Sequence, residues 1–294
     1  MIQDIGPKHL DNQYREKKAE LTDYVMFFQE RMILCGGDEA HTEFMTYGEL
    51  QELCEKEHLE LPECTYLFSL DERSYFLPDI YSPAAVDISL MQDKYTFCKM
   101  FELRRRIPMK QVLAGATAWH LFVWYRANRY CGVCGSRLVH DDKERMMRCP
   151  DCGNMVFPKI APAVIVAVTD GDRILMTKYA GREYKRYALI AGFTEIGETI
   201  EETVAREVME ETGIHVRNIS YYKSQPWGFD SNLLLGYFCE LDGDGTIRMD
   251  ERELSVAEWM DYRDMPDYHE GLSLTEEMMN VFKERRRKAH ESGL

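Results

Sequence analysis

The sequence predicts an α/β protein in three consecutive parts. Three observations carry this: two Cys-x-x-Cys pairs in mid-chain, a β-branched apolar run that turns straight back on itself, and a capped helix with glutamates at helical spacing. The expected division is 1–126, a mixed α/β region; 127–158, organised by the cysteine pairs; and 159–294, a second mixed α/β domain. A chain of 294 residues with 45% hydrophobic content has apolar material for more than one core.

In the first part, Tyr14 to Leu34 and Tyr47 to Glu57 read as helical, and Thr65 to Leu70 and Ser74 to Leu77 as strands. Nothing there has catalytic spacing. A helix rich in Ala, Trp, Leu and Tyr, from about Lys110 to Arg129, leads into the first cysteine pair. Beyond Pro158, Ala163 to Val168, the turn Asp170-Gly171-Asp172 and Arg173 to Thr177 predict a hairpin.

The formal net charge of -15 argues against a broad nucleic-acid-binding surface, because such binding rests on neutralising many phosphates. The basic runs Arg104 to Arg106 and Arg285 to Lys288 read as solvated helix faces. The polar first twenty residues and the lack of a long apolar run predict a cytoplasmic protein that does not use a membrane. Of nine cysteines, Cys35, Cys54, Cys64, Cys98 and Cys239 are scattered, as expected of buried thiols in a reducing compartment.

Cys131-Gly-Val-Cys134 and Cys149-Pro-Asp-Cys152 set two thiolate pairs on two knuckles, an arrangement that closes tetrahedrally on one Zn2+. Four thiolates leave no open coordination position, so this zinc is expected to be structural.

From Gly192 to Ile214, Thr199 and Glu202 form a capping box and Gly213 a stop, defining a helix of about thirteen residues. Glu207, Glu210 and Glu211 stand at i, i+3 and i+4 on it. A helical glutamate is ordinarily solvated, but at about 100° per residue Glu207 and Glu211 fall beside Ile200 and Val204, with Glu202 and Arg206 elsewhere. Inward carboxylates crowded together call for a cation, and their hard oxygens suit Mg2+ or Mn2+.

Gly192, Glu198, Arg206, Glu207, Val208, Glu210, Glu211, Gly213 and Ile214 match the fixed positions of the Nudix box, so the chain resembles the Nudix hydrolases. That resemblance implies an α/β/α sandwich, with Ala191 (through its carbonyl), Glu207, Glu210 and Glu211 holding divalent metal against a diphosphate. It also implies that Glu198 and Arg206 pair to hold the loop.

The cysteine ribbon directly before this domain, the joining Phe157-Pro-Lys-Ile-Ala-Pro162, and Ser224-Gln225-Pro226-Trp227 after the box resemble the NADH pyrophosphatase family of Nudix hydrolases over about residues 103 to 280. In that family the later motif, SQPWPFPxS, helps to select dinucleotides. Here it continues Gly228-Phe229-Asp230-Ser231-Asn232, with Gly228 and Asp230 for prolines and Asn232 for the final serine. These departures predict a more flexible loop with a carboxylate near the phosphates.

The resemblance implies substrate contacts at Glu144, Phe157 and Phe193, along Gln225 to Asn232, and more loosely at Arg104 and Thr275. It implies Glu253 as a further metal ligand and a homodimer. The implied reaction is hydrolysis of NADH or NAD+ to AMP and nicotinamide mononucleotide, with Glu211 the first choice of base, and it extends to NAD-capped RNA. Two other readings stand beside it: a broader Nudix hydrolase acting on ADP-ribose, FAD or dinucleoside polyphosphates, and an inactive zinc-ribbon nucleic-acid adaptor.

Overall fold

The structure is a computed structural model, and it describes residues 1–38, 41–79, 94–106, 108–181 and 186–292. The chain separates into two compact units. One comprises Gln3–Lys159 with Gly228–Ser231; the other comprises Met1–Ile2, Ile160–Trp227 and Asn232–Leu294.

The first unit begins with short strands β1 (Leu10–Asp11), β2 (Tyr24–Val25), β3 (Phe28–Gln29) and β4 (Met32–Gly36). The helix expected over Tyr14 to Leu34 is therefore absent. Aromatic and branched side chains (Val25, Phe27, Phe28, Ile33, Leu34) are buried by pairing across strands, and Glu30 takes φ 52° between β3 and β4, which no helix allows. Asp23, 3% exposed, is held by the backbone N–H of Ser74 at 2.8 Å.

Helix α1 (Tyr47–Lys56) forms where it is expected, capped reciprocally by Thr46 and Glu49. Strands β5 (Cys64–Leu70) and β6 (Arg73–Pro78) pair antiparallel, and β7 (Tyr95–Lys99) pairs with β4. After α2 (Met100–Leu103), the nineteen-residue α3 (Met109–Ala127) buries both tryptophans, Trp119 and Trp124. The ribbon follows as β8 (Val139–His140), β9 (Met147–Arg148) and β10 (Met155–Val156), an antiparallel three-stranded sheet.

The second unit is built on a six-stranded sheet. Strands β11 (Ala161–Asp170) and β12 (Arg173–Tyr179) make the expected hairpin, turning at Gly171 with φ +57°. The first half of β11 pairs with β13 (Ile190–Phe193). Helix α4 (Ile200–Thr212) and strands β14 (Val216–Trp227), β15 (Asn232–Leu241) and β16 (Leu254–Asp261) follow, with β15 parallel to β11. The last helix is α5 (Leu274–Glu291).

Alternation along β11 explains the layering, since successive side chains point to opposite faces. Val164, Val166 and Val168 pack with Val204 and Val208 of α4. Ile165 and Ala167 pack with Leu274, Met278 and Phe282 of α5. One helix on each face of the sheet gives the expected α/β/α sandwich.

Candidate metal centres and substrate site

In the ribbon the two knuckles repeat one pattern. Cys131 N donates to Ser136 O and Gly135 N to Cys131 O at 2.8 and 2.9 Å, and Cys149 and Gly153 do the same with Asn154 and Cys149 at 2.8 and 3.1 Å. Gly135 and Gly153 turn each knuckle at φ +80° and +73°, where a side chain is strained. The sulfurs of Cys131, Cys134, Cys149 and Cys152 all lie within 4.8 Å of one another. Two of their separations are 3.5 Å (Cys131 to Cys152) and 3.4 Å (Cys134 to Cys149), close to the roughly 3.8 Å edge of a tetrahedron with Zn–S bonds of about 2.3 Å. Backbone N–H groups of Cys134 and Val133 bring the Cys131 thiol down to about 6, favouring the thiolate that binds metal. This donor set fits structural zinc.

The second centre lies where β13 runs into α4. Thr199 and Glu202 form the predicted capping box, and Gly213 ends α4 in the left-handed conformation at φ +69°. Gly192 pairs with Val164 on the sheet face that carries α4. A Cβ there would lie 1.9 Å from Glu207 Cδ, so the absent side chain is the space in which the Glu207 carboxylate rests. Glu207 is 9% and Glu211 2% exposed, so the helix turns both inward as its periodicity predicts. Burial is the main cause raising the Glu207 pKa; Arg206 opposes it, and the charges of Glu210 and Glu253 reinforce it.

Arg206 does more than face away. Its guanidinium meets Glu198 at 2.5 Å, the expected pairing, and also Glu207 at 2.8 Å, Glu210 at 3.1 Å and the Phe193 carbonyl at 2.9 Å. Glu198 also accepts from Glu195 N and Thr203 Oγ1, and Arg206 is the main cause holding its carboxyl at about 2. Thr203, fully buried one turn after the cap, is a loop-holding residue that sequence reading missed; its i+4 spacing from Thr199 was the available signal. The C-terminal carbonyls of α4 hold the segment bearing Glu253: Thr212 O accepts from Arg248 N at 2.8 Å and Glu211 O from Asp250 N at 2.9 Å. The cradle at Gly192 that seats the Glu207 carboxylate, with Glu211 turned inward on the same helix, fits a hard divalent cation.

The remaining expected substrate residues divide between the units. Phe193, Pro226, Trp227, Asn232 and Thr275 lie in the sheet unit, and Arg104, Glu144, Phe157, Asp230 and Ser231 in the other. Phe157 and Phe193 are 52% and 53% exposed rather than packed in a core. The Arg104 guanidinium sits 3.8 Å from the Phe101 ring centre, and Glu144 is exposed in the ribbon.

Two of the expected residues are packed within the fold. Gln225 is fully buried, its amide bonded to Leu272 O and Leu274 N at 2.9 and 2.7 Å, so its side chain clamps the start of α5. Phe229, 6% exposed, is likewise a packing residue, and its carbonyl accepts from Trp119 Nε1 at 3.3 Å. Gly228 is also closely packed. A Cβ there would lie 2.3 Å from Ala116 O, so glycine permits a close packing on α3 that proline would break, and the Asp230 carboxylate is paired with Arg31 at 3.2 Å.

Among known families, residues 126–157 match the NADH pyrophosphatase zinc ribbon domain and residues 159–278 the Nudix domain. Curated relatives called NAD-capped RNA hydrolase NudC, from Escherichia coli O1:K1 and Shigella boydii serotype 18, are each 42% identical over 143 residues. The match takes in 49% of this chain and 55% of theirs, so the chain spans about half the length of the curated relatives it matches. A Nudix hydrolase structure from Nitrosomonas europaea aligns at 16% identity and a TM-score of 0.45, over 54% of this chain and 93% of that one.

Proposed function

We propose that this chain, which carries a Nudix domain directly behind an NADH pyrophosphatase zinc ribbon, hydrolyses the diphosphate of NAD(H) to AMP and nicotinamide mononucleotide, and removes NAD caps from RNA. The observation that carries this reading is the inward pair on α4, with Glu207 seated on Gly192 and Glu211 2% exposed. Two carboxylates turned inward one turn apart repel each other and pay for burial, a cost that a divalent cation of the kind diphosphate hydrolysis needs would offset. The curated relatives' name supports NAD-capped RNA as one source of the diphosphate. In keeping with this division of labour, the chain would comprise an N-terminal domain at 1–126, the ribbon at 127–158 and the hydrolase domain at 159–294.

Mg2+ or Mn2+ would be held by Glu207, Glu210, Glu211, Glu253 and the Ala191 carbonyl; bound there it supplies Lewis-acid neutralisation of the diphosphate oxygens and a more acidic water. Glu211 is the group assigned to take the proton of the attacking water. Arg206 holds Glu207 and Glu210 in place and ties both to the loop through Glu198. Phe157 and Phe193, each about half exposed, offer ring faces on which a base can stack. The resemblance also supports a homodimer, which light scattering tests. No helix of the described residues is long and apolar enough to cross a membrane.

The test is product analysis with NADH, NAD+, ADP-ribose and FAD. The proposal expects NADH to lead, with AMP and reduced nicotinamide mononucleotide in equal amounts. Much faster cleavage of ADP-ribose would replace it with the broader Nudix reading, and absence of metal-dependent turnover with the adaptor reading.

A further inference from the structure

The first unit holds a cavity of about 270 Å3 that neither metal centre uses, formed where the end of α3 and the ribbon meet the β5–β6 hairpin. Three arginines line it, Arg126 in the last turn of α3, Arg129 just beyond that helix and Arg137 in the ribbon, against the carboxylates Glu63 and Asp79. The lining is thus cationic in a chain with 51 acidic and 36 basic residues.

Elsewhere arginines are drawn into ion pairs by that excess of carboxylate, as in Arg31 with Asp230, Arg148 with Asp141 and Arg286 with Asp172. Among the described residues neither Arg126 nor Arg137 has such a partner: Arg126 lies only 5.4 Å from the Phe122 ring centre, and both are exposed. Beside them the Tyr125 and His140 rings lie 5.2 Å apart on the same cavity wall. Guanidinium forks suit phosphate oxygens, and the exposed His140 ring, backed by the half-buried Tyr125, suits an unstacked base. The volume lies just below the usual range of small-ligand pockets, on the scale of a single nucleotide unit.

We infer that the Arg126–Arg137 cavity binds a nucleotide unit of single-stranded RNA, giving the protein a grip on the body of a capped transcript. Arg126 and Arg137 take backbone phosphates, and His140, backed by Tyr125, receives one base. A local patch reconciles RNA binding with the net charge of -15, because binding is confined to one pocket. The inference rests on the reading of NAD-capped RNA as a substrate, yet binding can be measured without turnover.

The experiment titrates zinc-loaded full-length protein into a 5'-labelled, uncapped single-stranded RNA of about ten nucleotides and follows fluorescence anisotropy. The Arg126→Ala/Arg137→Ala variant is expected to weaken binding at least fivefold and to lower the salt slope by roughly 1.4, about 0.7 for each phosphate that is no longer neutralised. NADH turnover by the same variant is expected to stay within about twofold of wild type, with KM for NAD-capped RNA raised. Unchanged RNA affinity and salt slope in the variant, or no RNA binding by the wild-type protein, overturns the inference even if NADH is hydrolysed. Intact RNA binding at this cavity alongside absent NADH hydrolysis supports the inference and instead removes the catalytic reading. Unchanged zinc content and thermal melting confirm that the variant is folded.

Discussion

The ribbon offers four thiolates and the second centre four carboxylates, three on α4 and Glu253 beyond it, but of the two only the ribbon gathers its donors in advance. All four sulfurs fall within 4.8 Å, and among the described residues no other group of three or more acidic, His or Cys side chains does so. The ribbon's ligands sit on two short knuckles whose backbone hydrogen bonds fix each pair locally. Those of α4 are spread along a helix and a separate turn, repel one another, and are partly occupied by Arg206. A closed structural site is thereby nearly complete in its local sequence, whereas an open catalytic site leaves its last ångströms to the cation.

The largest effect expected from breaking this contrast is at Glu211. Glu211→Gln keeps the shape and removes the charge, so kcat should fall about a thousandfold or more. Glu202→Gln should keep kcat within about threefold, because a glutamine can still close the capping box with Thr199. Steady-state rates at saturating Mg2+ or Mn2+ check both.

Next comes the ribbon. Cys131→Ser/Cys149→Ser should bind no zinc and lose several kcal/mol of folding free energy, since structural zinc binding is coupled to folding. Elemental analysis and thermal melting decide this, and a zinc-free variant of unchanged stability would contradict it.

A smaller effect is expected at Gly192→Ala. The added methyl would meet the Glu207 carboxylate at 1.9 Å, so the carboxylate must move. The metal concentration for half-maximal rate should rise and kcat should fall by about 10- to 100-fold, as displacements near 1 Å do at active sites. Zinc content should not change.

The smallest is a pH effect in the ribbon-bearing unit. Glu49 closes the α1 capping box and accepts from Lys94 and Tyr95. Although burial alone would raise it, these hydrogen bonds bring its carboxyl down to about 2. Because the folded value lies below the unfolded one, its contribution is full above about pH 4.5 and is lost as pH falls toward 2. Glu49→Gln should therefore lower stability at neutral pH by up to about 1 kcal/mol, allowing for its partial exposure, and narrow its gap to wild type in acid.

Much of this was legible in sequence because its signals are local. The α4 bounds follow from Thr199, Glu202 and Gly213, the ribbon from cysteine spacing, and the β11–β12 hairpin from Gly171 between two apolar runs. What was not legible depends on distant partners. Tyr14 to Leu34 has polar stretches that imitate a helix, but its apolar residues pair across strands. Gln225 and Gly228 sit in a motif suggestive of ligand binding, yet one is spent on the backbone before α5 and the other on Ala116 of α3. Neither partner lies near in sequence, so no pattern around the motif reveals them. Restoring proline at Gly228 would accordingly disturb packing on α3 as well as the motif.

The most direct test of the account is a metal titration of NADH cleavage on protein stripped of labile metal but retaining about one zinc per chain. The account predicts no AMP release until Mg2+ or Mn2+ is added, then saturable release of AMP and reduced nicotinamide mononucleotide in equal amounts with zinc content constant. Full turnover with the ribbon zinc alone, or products from cleavage outside the diphosphate, would contradict it.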